Sequence, residues 1–395
     1  MSRRDALKLV GSTGVAAAAL FATGTVEAGQ ASARGTRSAP RIMRAAQMSS
    51  FRGPIEVVDQ AVLPLPPDGA IIRVEASGIC RSDWHFWNHD LTWFGFELKL
   101  PTNTGHEVGG IVEEVGPAVR AIKVGDRVTI PFHSADGTCP SCRGGYQNLC
   151  DNPVPRDQRI GGWAQYATVR AADLNCIKLP EGVSALSAAA LGCRFMTAYR
   201  AVTGRGQARP GEWLAVQGCG GVGLSAVQIA AASEALVVAV DVDDRKLAKA
   251  REEGAVATIN AGALTPAQVG DAVKELTGGG AHVSIDALGR AFTFEQSFRS
   301  LRKRGRHVQV GITSQEERGQ VSLPLDMLTM LELEVVGSLG NPHPQYAELL
   351  SLVARRKLDP ARLVTRQVAL GDITDTLRRM TTFDTVGFEV ITRFT

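Results

Sequence analysis

The chain has 395 residues, 44% of them hydrophobic and 21% charged, the balance of a soluble globular protein long enough for two domains with real cores. A formal net charge of +3 gives no basic field of the kind nucleic-acid binding needs, so nucleic acid is excluded as a partner. Seven cysteines are an odd number for a disulfide framework, and several have metal-ligand neighbours.

At the N-terminus, Ser2-Arg3-Arg4-Asp5-Ala6-Leu7-Lys8 is a twin-arginine pattern, followed by an Ala/Gly-rich stretch from Leu9 to Val26 and a small-x-small site at Ala31-Ser32-Ala33. Residues 1–33 are expected to be a Tat export signal, which would place the mature protein in the periplasm or beyond. The alternative is a true start at Met43 and a cytoplasmic protein. No stretch is long and apolar enough to predict a membrane span in the mature chain.

From Met43 to about Pro180, short β-branched runs at 71–76, 108–112, 126–130 and 164–169 alternate with Gly and Pro, which predicts a region that is all-β or nearly so. Three residues along it and just beyond point to a metal. Cys80 stands in Gly78-Ile79-Cys80-Arg81-Ser82-Asp83-Trp84-His85, His106 in Gly105-His106-Glu107, and Cys193 in Gly192-Cys193-Arg194-Phe195. A Cys/His/Cys set leaves one tetrahedral position of a zinc open, as a catalytic Lewis acid needs. Singly, each would read as a core cysteine or a loop histidine. Glu107, beside His106, is placed to act as an exchanging metal ligand or to support the ligands from behind.

Trp84, Trp87, Trp93, Phe94 and Phe96 crowd the segment between the first two ligands. They are expected either to line an apolar pocket over the metal or to pack the domain core. A second cluster follows, Cys139 and Cys142 and then Cys150, whose spacing suits one lobe around a structural zinc. A fourth ligand is expected three positions before Cys139. Asp136 stands there, and S₃O coordination is possible.

After Ser184 the pattern turns helical, and from Trp213 strands and helices alternate: strand 213–217, helix 222–232, strand 236–241, helix 245–253, strand 283–288, helix 292–302, strand 307–311. Repeated β-α-β units predict a parallel, doubly wound sheet. The first strand runs into Gly218-Cys219-Gly220-Gly221-Val222-Gly223 and the second ends on Asp241, eighteen positions after Gly223. That is a dinucleotide fingerprint with a carboxylate for the ribose hydroxyls, which predicts NAD and disfavours a 2′-phosphate. Helices at 346–357 and 373–380 and a strand at 388–393 close the chain.

In this order, the G-x-C-x-S-D-x-x-H, G-H-E, Cys-lobe, G-C-x-x-x-T-A and G-x-G-G-V-G motifs resemble those of the zinc-dependent medium-chain alcohol dehydrogenases, and the resemblance runs from about Met43 to the C-terminus. It implies an α/β protein in which a GroES-like, β-rich catalytic domain, residues 43–195 completed by about 345–395, joins a Rossmann domain, residues 196–344. The active site would lie between them. The resemblance assigns a catalytic zinc to Cys80, His106 and Cys193 and a structural zinc to Asp136, Cys139, Cys142 and Cys150. It assigns NAD to Gly218, Gly220, Gly221, Val222, Gly223 and Asp241, with Lys246 at the adenosine ribose.

Ser82 would take the proton of the bound alcohol, and His85 would release it to solvent by way of the nicotinamide ribose. The expected substrate is a small-molecule alcohol or aldehyde, medium-chain or aromatic, and Cys at 193 favours the simple-alcohol branch over polyols. A homodimer or homotetramer joined along sheet edges is expected. Two departures stand out: Asp136 for the first lobe cysteine, and Phe388 after Gly387, where relatives commonly place an Arg or Lys that reaches the pyrophosphate. Losing that cation should weaken NAD binding by roughly 1.5–3 kcal/mol. The rival readings are a reductase running the reverse direction and an exported zinc-binding protein without turnover.

Overall fold

Leu236–Asp241 reads Leu-Val-Val-Ala-Val-Asp, with its four middle residues buried, and a run that is apolar on both faces belongs in a sheet covered on both sides. The structure, a computed structural model, describes residues 40–153 and 161–395; the expected export signal, residues 1–33, lies outside them. Leu236–Asp241 is the second strand of a six-stranded, wholly parallel sheet. Its order is Ala257–Asn260, Leu236–Asp241, Trp213–Gln217, Ala281–Asp286, Leu301–Gln309, Glu334–Gly337. The chain winds outward one way from Trp213–Gln217 and then the other way from Ala281–Asp286, so the strand order reverses between these two neighbours. Ligands of doubly wound sheets bind outside the strand ends at such a reversal.

The second sheet has seven strands. Val364–Ala369, Phe388–Arg393, Ala70–Ile79, Glu107–Val115, Arg127–Ile130 and Ile177–Lys178 follow one another, and Tyr166–Val169 also pairs with Ala70–Ile79. The C-terminal strand therefore lies inside this sheet, with Glu389 beside Ile79 and Val364 beside Phe388. Ile42–Met48 and Ile55–Ala61 form a separate antiparallel pair. One core, with Ile72, Val74, Trp163 and Ile391, fills the second sheet. A larger one, with Phe195, Tyr199, Val216 and Phe388, joins it to the nucleotide side.

The region up to Pro180 is not purely β. Arg81–Trp87 is a short helix. It starts because Cys80 is extended, with φ −100° and ψ 157°, while the Asp83 carboxylate accepts the Cys80 backbone N–H at 2.9 Å. A carboxylate three residues into a helix that reaches back in this way satisfies one of the orphan donors of the first turn. Past Tyr199 the helical run widens into a π-turn over Arg200–Arg205. Among the described residues, no helix is long and apolar enough to cross a membrane.

Candidate active site

The strand Ala70–Ile79 delivers Cys80, the start of Glu107–Val115 delivers His106, and the turn before Arg194–Tyr199 delivers Cys193. The two sulfurs and an imidazole nitrogen lie within 4.8 Å of one another. His106 Nδ1 donates to Asp83 Oδ1 at 3.0 Å, whereas its Nε2 is buried with no hydrogen-bond partner. An imidazole that is oriented by a carboxylate and turns a bare nitrogen on two thiols fits a metal, and zinc suits that donor set. Hydrogen bonding from Cys193, with the charges of His106 and Arg194 nearby, holds the Cys80 thiol well below its ordinary value, toward the thiolate that binds metal.

Asp83, 1% exposed, ties two ligand segments together, since Oδ1 also accepts the Gly105 N–H at 3.1 Å. Reading the sequence motif by motif passes over it. Its signal was the spacing of three after Cys80, that of a cap and its third helical residue. Ser82 Oγ stands 3.7 Å from Cys80 Sγ, and His85 lines the same cleft.

Glu107 does not join the trio. It is fully buried in an ion pair with Arg194, whose Nε lies 2.9 and 3.1 Å from the two carboxylate oxygens, and whose Nη2 and backbone N–H also donate to it. Of the two places expected for Glu107, exchanging ligand or support from behind, the structure has it behind the trio, paired with Arg194. Arg194 also stacks on the ring of Phe388, 3.9 Å from its centroid. Phe388 is fully buried, so position 388 belongs to the core here and the guanidinium beside it comes from Arg194.

One continuous cleft of about 1070 Å³ runs from the trio to Gly218, Gly220, Asp241 and Lys246. Gly223 has no room for a side chain, since a Cβ there would meet the Gly218 carbonyl at 1.8 Å. At Gly220, by contrast, nothing lies within 4 Å. Gly221 and Val222 open the helix Gly221–Ala232 behind them. A tight turn, an open approach and a helix N-terminus fit a pyrophosphate. Asp241 accepts the Cys219 N–H at 2.7 Å and those of Val242 and Asp243 at 2.8 and 3.0 Å. The helix cap that follows is Asp243, not Asp241. Lys246 reaches the carbonyl of Phe383 at 2.9 Å.

The cleft also holds a cation that the reading of motifs did not single out. Arg81 lies between the rings of Trp84 and Phe383, at 3.7 and 4.3 Å, and burial pulls it down to about 10. The five aromatics divide between the two expectations. Trp87 is core and donates to the Gly53 carbonyl, Trp84 is buried but touches the cleft, and Trp93, Phe94 and Phe96 line its mouth.

Asp136, Cys139, Cys142 and Cys150 offer four donor atoms within 4.8 Å of one another. Cys139 and Cys150 sulfurs are 3.9 Å apart, and Asp136 Oδ1 is 3.4 Å from Cys150 Sγ. The hydroxyl and backbone N–H of Thr138, then Asn152, hold the Asp136 carboxyl well below its ordinary range.

Comparison with known proteins shows which family the chain is similar to. Residues 66–181 match the model of the alcohol dehydrogenase GroES-like domain, and residues 221–355 that of the zinc-binding dehydrogenases. An alcohol dehydrogenase of Geobacillus stearothermophilus is 34% identical over 86% of this chain and 96% of its own length. An NAD-dependent alcohol dehydrogenase of Sulfurisphaera tokodaii is 31% identical over 88% and 99%. Among solved structures, the alcohol dehydrogenase of Aeropyrum pernix superposes with a TM-score of 0.78 at 30% identity, covering 88% of this chain and 99% of that one. A Sinorhizobium meliloti protein described as a zinc-binding dehydrogenase, solved with NADP bound, superposes at 0.76 and 29% identity, covering 89% and 99%. By these matches the chain belongs to the zinc-dependent medium-chain alcohol dehydrogenase family.

Proposed function

We propose that this protein oxidises primary or secondary alcohols, medium-chain or aromatic, to aldehydes or ketones with NAD. The observation that carries the reading is the bare, buried His106 Nε2 facing Cys80 and Cys193 in the same cleft as the phosphate-binding turn. When bound, zinc supplies the Lewis acidity that makes an alcohol acidic near neutral pH, and the nicotinamide supplies the hydride acceptor. Cys80, His106 and Cys193 hold the metal, and Asp83 and Glu107 support them from behind. Ser82 Oγ takes the alcohol proton and His85 passes it to water. The aromatic mouth of the cleft favours apolar substrates, and the intact Ser82 and His85 speak against a protein without turnover. Purified zinc-loaded protein should form NADH with 1-hexanol or benzyl alcohol faster than with ethanol. No NADH from any alcohol of such a panel would leave the binding-protein reading in its place.

Asp241 sets the cofactor preference in this reading. Asp241→Gly is expected to raise the kcat/KM ratio of NADP over NAD by at least about tenfold, because a carboxylate at that strand end accepts from ribose hydroxyls and repels a 2′-phosphate. An unchanged ratio would assign the choice to another residue.

A second, structural zinc in the lobe of Asp136, Cys139, Cys142 and Cys150 completes the proposal. Thiolate is a better match for zinc than carboxylate, and metal binding in such a lobe is folding free energy. Asp136→Cys should therefore melt higher than the parent, and Asp136→Ala should lose metal to a chelator and melt lower. Equal melting and equal zinc in Asp136→Ala and the parent would show that Asp136 is no ligand. Export of the folded enzyme through the twin-arginine route and a homodimeric or homotetrameric assembly belong to the same proposal.

A further inference from the structure

His85 stands in the last turn of the seven-residue helix Arg81–Trp87, and the chain then turns to bring Asp90 back against it. The Asp90 backbone N–H donates to the His85 carbonyl at 2.9 Å, and the Asp90 Oδ2 lies 2.6 Å from His85 Nδ1. Both side chains are nearly closed to solvent, at 10% and 5% exposure. A carboxylate only accepts, so Nδ1 carries the hydrogen and the imidazole is left with Nε2 as its basic nitrogen. The other carboxylate oxygen of Asp90 does not face water either. It accepts the backbone N–H of Gln315 at 3.1 Å, and the Gln315 side chain donates to Thr92 Oγ1 at 2.5 Å. Gln315 stands in the loop after Leu301–Gln309, a strand of the nucleotide-binding sheet. That loop is itself fixed, since Glu317 accepts from Arg290 Nε at 2.6 Å and from Ser314 Oγ at 2.6 Å.

We propose that Asp90 is a positioning residue for the proton relay, holding His85 by Nδ1 with one carboxylate oxygen while the Gln315 N–H of the nucleotide-binding domain holds the other. It rests on the relay proposed above and extends it. His85 takes a proton at Nε2, the imidazolium that results is met by a carboxylate already aimed at it, and the same proton then leaves Nε2 for water. No electron moves and no other atom is exchanged. Asp90 is suited to the task. Burial alone would push its carboxyl up, but the hydrogen bonds from His85 and Gln315 and the charge of Arg81 bring it below its ordinary value. Because the clamp has one jaw in each domain, the relay histidine is aligned only where the loop 312–319 and the segment 90–92 meet.

The test compares His85→Ala, Asp90→Ala, Asp90→Asn and the double variant His85→Ala/Asp90→Ala in the zinc-loaded enzyme. It measures alcohol oxidation from pH 6 to 10, rescue by added imidazole, and the dissociation constant of NADH. Asp90→Ala should slow oxidation at pH 7 by at least about tenfold, within the range of general acid–base catalysis and its orienting partners. The loss should shrink as pH rises and hydroxide takes the proton directly. Imidazole should restore part of it, and NADH affinity should change less than about twofold. Asp90→Asn keeps the shape without the charge and should show the same pH-dependent loss in smaller measure, which guards against a variant that merely fails to fold.

Since Asp90 acts through His85, the double variant should be no slower than His85→Ala. Additive losses, or a slow His85→Ala beside an unchanged Asp90→Ala, would overturn this inference and leave the relay standing. A His85→Ala enzyme with the parent's pH profile would overturn the relay, and this inference with it.

Discussion

Cys193→Ala is expected to lower kcat for alcohol oxidation by at least about a thousandfold and to remove one zinc per chain while the protein stays folded. The trio offers the metal three protein donors and no spare. Losing a thiolate leaves one sulfur and one imidazole, too few for a tetrahedral site that must also keep a position open for substrate. Lewis-acid stabilisation is worth several kcal/mol, and each 1.4 kcal/mol or so is a factor of ten in rate, which sets the size of the loss. The fold should survive, because Cys193 precedes a helix whose Phe195, Met196 and Tyr199 are anchored in the larger core independently of any metal. Zinc counted by atomic spectroscopy, circular dichroism and turnover decide the matter together. A fully active, folded Cys193→Ala protein would sink the site.

Arg194→Met is expected to destabilise the protein by about 3–5 kcal/mol, the usual consequence of stranding one member of a buried ion pair. Glu107 is fully buried, and burial pushes its carboxyl up while the Arg194 charge pulls the other way. With the guanidinium gone, the carboxylate must stay charged without a partner or take up a proton, and both cost free energy. The double variant Glu107→Gln/Arg194→Met removes the uncompensated charge and should recover most of the loss. Urea denaturation of both variants checks this. If the single variant unfolds at the parent's urea concentration, the pair contributes nothing and Glu107 is already neutral. Since Arg194 follows Cys193 directly, the single variant should also bind zinc more weakly.

Fold class and the gathering of Cys80, His106 and Cys193 could be read from the residues, and for physical reasons. Parallel strands buried on both faces print themselves as apolar runs, so Trp213–Gln217 and Leu236–Asp241 begin and end where the pattern does. Glycine spacing in the fingerprint is a steric demand that no other residue meets, as the 1.8 Å contact at Gly223 shows. What escaped reading depends on contacts across long stretches of chain. The edge strand Glu334–Gly337, four residues with only two apolar side chains, is too short to announce itself. Arg81–Trp87 is helical through a cap, not through any period in its side chains. Asp90 meets Gln315 only after both domains have formed. One sequence position could not show that the ring of Phe388 stacks on Arg194, a residue from elsewhere in the chain.

The place of Phe388–Arg393 between Val364–Ala369 and Ala70–Ile79 bears on how the enzyme comes into being. Until residues 388–393 have left the ribosome, the sheet that carries Cys80 lacks an interior member, and Ser77–Ile79 lack their partner on that side. Pairings between the two ends of a chain form late, because the loop they close is long and its entropy is lost before the contact repays it. The nucleotide-binding sheet, made from one continuous stretch, can fold during synthesis. The half that carries Cys80, His106 and Cys193 is expected to wait for residues 388–393, so zinc loading is expected to follow their synthesis.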